Sequence, residues 1–333
     1  MNTQKKQDNH PVLSIVLPCY NEQEVIEVTH KAIDAAMDSA NVQPIEIIYI
    51  NDGSTDNTGV ILSKIAQSDP RVTIVTLSRN FGHQPAVSAG LEYANGDAVV
   101  IMDADLQDPP EVVIEMLAKW REGYEVVYAV RENRKEGLLL RFGYSVFYRL
   151  MRLLSNVDIP LDSGDFSLID RRVVDAINAL PENNRFVRGL RSWVGFRQTS
   201  VHYPRAKRAA GTTKYPFWNL VKLALDGIIN FSTVPLTLVS VAGLITALGS
   251  LAGFIFFFAN KIFGSIFGLQ FGENPGFTTL ILTLLLVGGI QMFSIGLLGE
   301  YLGRIYQEVK SRPTYIVSQI YKQGRATPDA TKK

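Results

Sequence analysis

The strongest constraint on this fold is a long stretch of chain that almost lacks charge. Of the 77 residues from Gly227 to Gly303, only Lys261, Glu273 and Glu300 are charged. The rest of the 333-residue chain carries nearly all of its 33 Lys and Arg and 32 Asp and Glu residues. About one residue in four is charged there, as in ordinary soluble proteins. The sequence therefore predicts a water-soluble part joined to a part that avoids water.

Two segments of the uncharged stretch are apolar enough to cross a bilayer as helices. They run from about residue 234 to 259 and from about 277 to 299, and a hydrocarbon core of roughly 30 Å needs about 20 helical residues. Glycines in both segments allow close helix contact, which is compatible with a homo-oligomer or a monomer. Basic residues precede the first segment and follow the second. The positive-inside rule therefore predicts a multi-pass protein of the plasma membrane, with both termini and the soluble part in the cytoplasm.

Composition excludes several other classes of protein. The net charge of +1 lacks the basic surplus typical of a nucleic-acid-binding protein. The one cysteine, Cys19, rules out a disulfide framework within the chain and is expected to be a small buried residue. The first ten residues have no apolar segment behind them, so they are expected to form a tail rather than a signal peptide.

The first 200 residues alternate short apolar runs with amphipathic segments. The runs are rich in Val and Ile and predict strands, whereas the segments between them predict helices. This alternation favours an α/β fold, Rossmann-like, with a mostly parallel sheet covered on both faces and ligands beyond the carboxyl ends of its strands. The predicted strands are Val12–Leu17, Ile45–Ile50, Val72–Leu77, Ala98–Met102 and Val126–Val130, and the predicted helices are Glu22–Ser39, Asn57–Gln67, Gln84–Ala94 and Pro110–Glu122.

Two further amphipathic segments are candidates for helices that lie in the membrane interface. Leu138–Leu154 sets three arginines among Leu, Phe and Tyr, and Tyr215–Phe231 precedes the first predicted span. The first can equally be an ordinary helix facing the soluble core, and an interfacial position is the alternative for both. The predicted organisation is a tail (1–10), an α/β domain (11–214), a juxtamembrane amphipathic helix (215–232), two membrane helices with a short outside loop (233–303) and a cytoplasmic tail (304–333).

Three polar clusters follow the carboxyl ends of predicted strands. Pro18–Glu22 follows the first strand, Asn51–Asp56 the second and Asp103–Gln107 the fourth. In the third cluster, two carboxylates and an amide supply oxygen ligands of the kind that Mg²⁺ or Mn²⁺ prefers. Because such a pattern also occurs in capped turns, this cluster alone does not establish a metal site.

The order and spacing of these clusters resemble family 2 glycosyltransferases of the GT-A fold. The sequence DADLQDPPE at 103–111 is similar to the signature of polyprenyl-phosphate glycosyltransferases, including dolichol-phosphate mannose synthases. The basic motif from Arg208 to Tyr215, GLLGEYLGRIY at 296–306 and Arg312-Pro313 are similar to the bacterial GtrB and ArnC group of bactoprenol glucosyltransferases. With these motifs the resemblance reaches nearly the full chain.

The resemblance implies a role for each matching residue. Asp103 would contact ribose or sugar, Asp105 and Gln107 would hold Mg²⁺ or Mn²⁺ at the diphosphate, and Arg131 would meet a phosphate. Asp162 or Asp165 stands where related enzymes carry an acceptor-side acid, and Asp165 is the candidate. The nucleoside would be held by Pro18, Tyr20, Asn21, Glu22 and Asp52, and further phosphate contacts would come from Arg141, Arg208 and Lys214.

The resemblance implies an inverting enzyme that moves one sugar from a nucleotide sugar to undecaprenyl phosphate at the cytoplasmic membrane face. UDP-glucose is the favoured donor, with GDP-mannose and other UDP-sugars left open. His83 and Gln84 lie near the expected donor side, and His83 is interpreted as part of a capped loop.

Two other functions stay open. One is a processive polysaccharide synthase, but its Gln-x-x-Arg-Trp motif is matched only by RGLRSW at 188–193, which lacks the Gln and has Ser192 between Arg and Trp. The other is a non-catalytic membrane sensor or scaffold that binds a nucleotide.

Overall fold

The structure is a computed structural model that describes residues 12–132, 163–183, 185–204, most positions within 236–255, and residues 276–322 and 325–327. The described residues fall into two compact units. The first comprises residues 12–204 together with 312–327, and the second comprises residues 236–311. The predictions for Arg141, Asp162, Arg208 and Lys214, and for the helices at 138–154 and 215–231, lie outside the described residues, and only the backbone of Arg131 is described.

The first unit is built on a nine-stranded sheet in the order β7-β5-β6-β4-β1-β2-β3-β8-β9. Strands β1 to β5 and β7 run in one direction, whereas β6 and β8 run against their neighbours. The strands are β1 Leu13–Cys19, β2 Ile45–Asn51, β3 Val72–Leu77, β4 Ala98–Ile101, β5 Val126–Glu132, β6 Ser163–Asp170, β7 Gln198–Pro204, β8 Val317–Lys322 and β9 Arg325–Thr327. This confirms the predicted α/β class with a mostly parallel sheet.

Six helices accompany the sheet in the described part of this unit. They are α1 Ile26–Ser39, α2 Thr58–Ser68, α3 His83–Tyr93, α4 Val112–Arg121, α5 Arg171–Asn178 and α6 Val187–Trp193. Every residue of β1 and β2 is buried, which explains their continuous Val and Ile runs, because a strand covered on both faces has no polar side. Helix α1 begins four residues later than predicted because the backbone amides of Glu22 and Gln23 bond to Thr58 Oγ1 (2.9 Å) and Asp56 Oδ2 (3.3 Å) instead.

One end of the sheet collects the predicted functional segments. We call it the carboxyl end, because β1 to β5 and β7 all finish there. Strand β6, antiparallel to β4 and β5, begins at this end, with Ser163 beside Val130 and Ser167 beside Ile101. Arg131 lies beside Tyr203 in the pairing of β5 with β7. The predicted phosphate-binding position at Arg131 therefore has its backbone at the carboxyl end.

The C-terminal residues correct the predicted organisation. Residues 304–333 were expected to be a tail, but Val317–Lys322 forms β8 against β3, and Arg325–Thr327 forms β9. This attachment is extended by two hydrogen bonds: the Ser78 N–H donates to the Ile316 carbonyl oxygen, and the Ser318 hydroxyl donates to the Thr76 carbonyl oxygen. Strand β8 is half exposed and contains Ser and Gln, so it lacks the apolar run that marks a central strand.

The second unit contains the long helix α7, Gly276–Val309, of 34 residues. Within it, Leu286–Val309 is the one helix in the described part of the chain that is long and apolar enough to cross a membrane, with a mean hydropathy of 1.2. The helix includes the second predicted span and continues ten residues beyond it. The described positions within 236–255 are helical, but 11 of the 26 residues of the first predicted span lie outside the described residues, so a pair of spans stays a prediction.

Candidate active site

The loops that follow β1 and β2 are joined by hydrogen bonds. Asn21 adopts a left-handed backbone conformation, with φ of 54°. Its backbone N–H donates to Ser54 Oγ (3.1 Å), and its side-chain oxygen accepts from the Thr55 amide (2.9 Å). These contacts bring the first two predicted clusters together and leave Tyr20 exposed beside them.

Asp52 joins this pair of loops to the loop that follows β3. Its two carboxylate oxygens accept hydrogen bonds from the amides of Phe81 (2.7 Å) and Gly82 (2.9 Å), and the residue is buried. Burial raises the pKa of Asp52, and the two amide bonds oppose that rise. In the structure Asp52 therefore organises neighbouring loops, and its predicted contact with a nucleoside stays a prediction.

Gly53 is required where the loop that follows β2 approaches the loop that follows β3. Its φ is +66°, and a Cβ at this position would lie 2.4 Å from the backbone carbonyl carbon of Arg79. A side chain here would meet both an unfavourable backbone conformation and a rigid neighbour. The Asn51-Asp52-Gly53-Ser54 sequence is therefore more than a surface turn.

The Asp103–Gln107 cluster forms a constrained turn after β4. Leu106 has a φ of 58°, and the Gln107 amide donates to Asp105 Oδ1 (3.1 Å). A hydrogen bond from α1 stabilises the turn: the Thr29 hydroxyl donates to the Ala104 carbonyl oxygen (2.7 Å). A left-handed backbone conformation is uncommon at residues such as leucine, and the residues that adopt it are concentrated at functional sites. The turn presents Asp103 and Asp105 at the carboxyl end, with Gln107 more deeply placed.

Asp165 lies on β6 and is held by donors from two helices. His83 Nε2 lies 3.2 Å from its Oδ2, the Gln84 side-chain amide donates to the same oxygen at 3.2 Å, and Arg188 Nε lies 3.4 Å from its Oδ1. Gln84 also accepts a 2.8 Å bond from the Val187 amide, which links the starts of α3 and α6. His83 Nε2 is 4.0 Å from Asp103 Oδ1 as well. The imidazole thus stands between the predicted donor-side and acceptor-side carboxylates.

These contacts shift the pKa values of all three groups. Burial by itself would raise the pKa of Asp165, but Arg188, His83 and Arg191 bring it well below its usual range. Burial would lower the pKa of His83, yet the bond to Asp165 and the charges of Asp103 and Asp165 raise it to about 9. Burial and the neighbouring carboxylates raise the pKa of Asp103 to about 6, against the effect of His83. Near neutral pH, Asp165 is therefore ionised and His83 is positively charged.

Arg191 is a further cation of this polar cluster, and it is buried. It is 1% exposed, and its guanidinium lies 5.4 Å from the centre of the Tyr128 ring. Burial, together with the charge of Arg188, lowers its pKa to about 10. Among the described residues, its Nε and Nη2 atoms have no hydrogen-bond partner. The sequence alone does not reveal that His83, Gln84, Arg188 and Arg191 belong to this cluster, since they lie far from Asp165 in sequence and no motif spacing connects them.

Known proteins resemble this chain in sequence over most of its length. Residues 14–177 match the family model for "Glycosyl transferase family 2". A glycosyltransferase of uncharacterised function from Bacillus subtilis, YkcC, is 48% identical over 94% of this chain and 95% of its own length. A prophage bactoprenol glucosyl transferase homologue from Escherichia coli is 41% identical over 93% of this chain and 99% of its own length. The chain belongs to glycosyltransferase family 2.

Other relatives of this glycosyltransferase carry similar names. The SfII prophage-derived bactoprenol glucosyl transferase of Shigella flexneri is 42% identical over 93% of this chain and 98% of its own length. Among solved structures, glucosyl-3-phosphoglycerate synthase from Mycobacterium tuberculosis is 21% identical, covering 66% of this chain and 76% of that one, with a TM-score of 0.44.

Within this family 2 glycosyltransferase, the structure assembles most of the described candidate residues in one region. Pro18 lies near the end of β1, Tyr20, Asn21, Glu22 and Asp52 lie on the loops that follow β1 and β2, and Asp103, Asp105 and Gln107 follow β4. Asp165 lies on β6, the neighbour of β4 on the side away from β1. Cys19 is buried, as expected, and burial raises its pKa further from neutrality. The assigned roles of the individual residues stay predictions.

Proposed function

We propose that this glycosyltransferase transfers a single glucose from UDP-glucose to a polyprenyl phosphate at the cytoplasmic face of the plasma membrane. The observation that carries the proposal is its 41–42% identity to proteins named bactoprenol glucosyl transferase over 92–93% of this chain. That identity extends well beyond residues 14–177 of the family domain. The shared part therefore includes C-terminal sequence where a lipid acceptor would be met.

The donor side has the residue types that a nucleotide sugar requires. Tyr20 offers an exposed ring, and Asn21 and Glu22 offer polar groups on a loop that is fixed against the β2 loop. Asp105 and Gln107 offer a carboxylate and an amide oxygen on a constrained turn, a donor set that fits Mg²⁺ or Mn²⁺. A divalent cation bound there would neutralise charge on the diphosphate leaving group. Asp103 then faces the ribose or the sugar.

On the acceptor side, the reaction requires positively charged groups more than it requires a general base. A phosphate ester has a second pKa of about 6 and is an anion at neutral pH, so its oxygen can attack without losing a proton to the enzyme. The site then contributes orientation and charge shielding. Arg131, whose backbone lies at the carboxyl end, is assigned to this task together with Arg141, Arg208 and Lys214. A single displacement inverts the anomeric centre, from an α-linked donor to a β-linked lipid product.

A processive synthase is not favoured. Several relatives that cover 92–93% of this chain are named bactoprenol glucosyl transferases. In the motif at 188–193, Arg191 is buried beside Tyr128, and Trp193 is 56% exposed. The motif therefore has neither the sequence of the processive enzymes nor an enclosed tryptophan.

A donor-panel assay tests the proposal. The purified full-length protein is incubated with polyprenyl phosphate, Mg²⁺ or Mn²⁺, and labelled UDP-glucose, GDP-mannose or other UDP-sugars. We expect labelled lipid and UDP from UDP-glucose, with activity lost on chelation. Asp105→Asn should lower turnover at least about hundredfold, whereas the exposed Asp38→Asn on α1 should leave it unchanged. A different preferred donor contradicts the glucose assignment, and transfer from no donor by the folded protein contradicts the enzymatic proposal.

A further inference from the structure

The polar cluster around Asp165 gathers three cations around one carboxylate. Arg188 and Arg191 are guanidinium ions and His83 is an imidazolium at neutral pH, while Asp165 is the carboxylate that the three share. Among the described residues, Asp103 Oδ1 lies 4.0 Å from His83 Nε2, and the charge of Asp52 also interacts with His83. Burying a cation without a partner of opposite charge costs free energy, because the cation loses its contacts with water. The arrangement therefore favours an incoming anion.

In this cluster, Asp165 and Arg191 are the more buried side chains, and Arg188 and His83 lie closer to solvent. Arg191 is 1% exposed and the Asp165 side chain 13%, whereas the side chains of Arg188 and His83 are 25% and 35% exposed. Arg188 uses Nε toward Asp165, and its two terminal nitrogens have no hydrogen bond to the described residues. Asp165 thus holds two cations whose outer atoms stay accessible to a ligand.

We propose that His83 and Arg188 are a cation pair, assembled on Asp165, that binds the phosphate group of the acceptor lipid. The inference rests on the proposed function and deepens it, because it assigns two phosphate-binding residues beyond the arginines and lysine that motif resemblance supplies. It also assigns Asp165 a positioning role, since its two oxygens engage the cations and a phosphate acceptor has no proton to give up.

Asp165 and Arg188 lie on the side of the sheet away from the donor loops of β1 and β2, and His83 lies between them and the donor-side Asp103. The donor residues lie on the loops of β1, β2 and β4, whereas Asp165 is on β6 and Arg188 is on α6, across β4 from β1. Arg131, at the end of β5, has its backbone on that same side. A phosphate held by Arg188 and His83 would therefore face the sugar from the side opposite the nucleoside.

Gln84 supports this geometry. It donates to Asp165 and accepts from the Val187 amide, so it fixes the start of the helix that carries Arg188 relative to the start of the helix that carries His83. The two cations are therefore preorganised before an acceptor arrives, which lowers the ordering cost of binding.

The test measures acceptor and donor binding separately in the full-length protein in detergent. The probes are geranyl phosphate, a short isoprenyl phosphate, its alcohol geraniol as the ligand without phosphate, and UDP with Mg²⁺ or Mn²⁺. His83→Gln and Arg188→Gln remove one charge each, Arg188→Lys keeps the charge, and Arg172→Gln removes an exposed cation paired with Glu125. Isothermal titration gives the Kd of each ligand, and steady-state assays give the KM for polyprenyl phosphate.

We expect His83→Gln and Arg188→Gln to weaken geranyl phosphate binding about ten- to hundredfold, which corresponds to losing one charge-assisted bond. The KM for polyprenyl phosphate should rise in parallel, the Kd for UDP should stay within twofold, and geraniol binding should not change. Arg188→Lys should bind geranyl phosphate more tightly than Arg188→Gln, and Arg172→Gln should behave as the wild type.

Unchanged geranyl phosphate affinity in both charge-removing variants overturns the proposal. Weakened UDP binding in both also overturns it, because the pair would then serve the donor or the fold rather than the acceptor. The proposed function fails separately: a wild-type protein that transfers no sugar to polyprenyl phosphate contradicts that function, whatever the variants show.

Discussion

At the scale of single residues, the carboxylates could be predicted and their cationic partners could not. Asp103 and Asp105 follow β4 and Asp165 lies near the start of the antiparallel β6, so all three are at the carboxyl end of the sheet. His83 and Arg188 reach Asp165 from 82 and 23 residues away in sequence. Only the folded chain brings these side chains within bonding distance, so their participation is a property of tertiary structure.

The role of Asp165 gives the first prediction. Asp165→Asn should reduce turnover at least about tenfold, because a neutral amide leaves His83 and Arg188 without the charge that holds them. Steady-state transfer to polyprenyl phosphate is the measurement, with Asp175→Asn on α5, 64% exposed, as the matched control. Full turnover in Asp165→Asn would show that this carboxylate is dispensable.

His30 gives a prediction about acid sensitivity. Its ring contacts the Tyr49 hydroxyl (3.1 Å) and faces Asp34 and Asp69 at 3.6 and 3.5 Å. Burial lowers the pKa of His30 below 6.5, although both carboxylates oppose the shift. The folded state therefore binds fewer protons than the unfolded chain, and stability contributed at neutral pH is lost as the pH falls below about 6.5.

Replacing the imidazole should flatten this dependence. His30→Gln should lose less thermal stability than the wild type between pH 7 and pH 5, whereas His202→Gln, at an exposed position on β7, should follow the wild-type slope. Thermal unfolding followed by circular dichroism in detergent gives the comparison. Identical slopes for His30→Gln and wild type would place the acid sensitivity elsewhere.

At the scale of elements, apolar periodicity predicted β1 to β5 and missed β6 to β9, including β6, which lies between β5 and β4. Strands β1 to β5 and helices α1 to α4 were predicted because strands covered on both faces need continuous Val and Ile, and the covering helices need one apolar face. Strand β8 was not predicted because one side of it is exposed and its sequence is correspondingly mixed. Its place beside β3 depends on pairing partners some 240 residues apart.

The joint between the β2 and β3 loops gives a prediction at this scale. Gly53→Ala should destabilise the fold and weaken UDP binding, because the added Cβ meets the backbone of Arg79 at 2.4 Å. Gly123→Ala is the matched control, since Gly123 has φ of +92° but its nearest neighbour, an Arg197 side-chain atom, is 3.9 Å away. Backbone strain alone costs about 1–3 kcal/mol, so Gly53→Ala should exceed Gly123→Ala in loss of stability. Equal losses would remove the close approach as the cause.

At the scale of the whole molecule, the fusion of a charged unit with an uncharged one follows from the proposed reaction. A nucleotide sugar arrives from water, whereas a polyprenyl phosphate keeps its chain in the bilayer. The helix Gly276–Val309 exposes apolar side chains such as Leu284, Met292 and Phe293, as a lipid-facing helix does. The near-neutral total charge thus averages over two solvents, which is why composition alone described neither part.

The proposed topology can be tested with cysteine labelling, because Cys19 is buried and gives little background. Ser265→Cys, between the two predicted spans, should react with a membrane-impermeant maleimide added to spheroplasts. Thr331→Cys, near the C-terminus, should react only after lysis. Labelling of both positions from outside, or of neither, would contradict two spans with cytoplasmic termini.

The identity of the product tests the proposed transfer of glucose to polyprenyl phosphate most directly. Purified protein is given UDP-glucose, a divalent cation and polyprenyl phosphate, and the lipid fraction is analysed by mass spectrometry and by NMR of the anomeric proton. We expect polyprenyl phosphate bearing one hexose in β linkage, with one UDP released per lipid. A polymer of glucose, an α-linked product or no glycosylated lipid would contradict it.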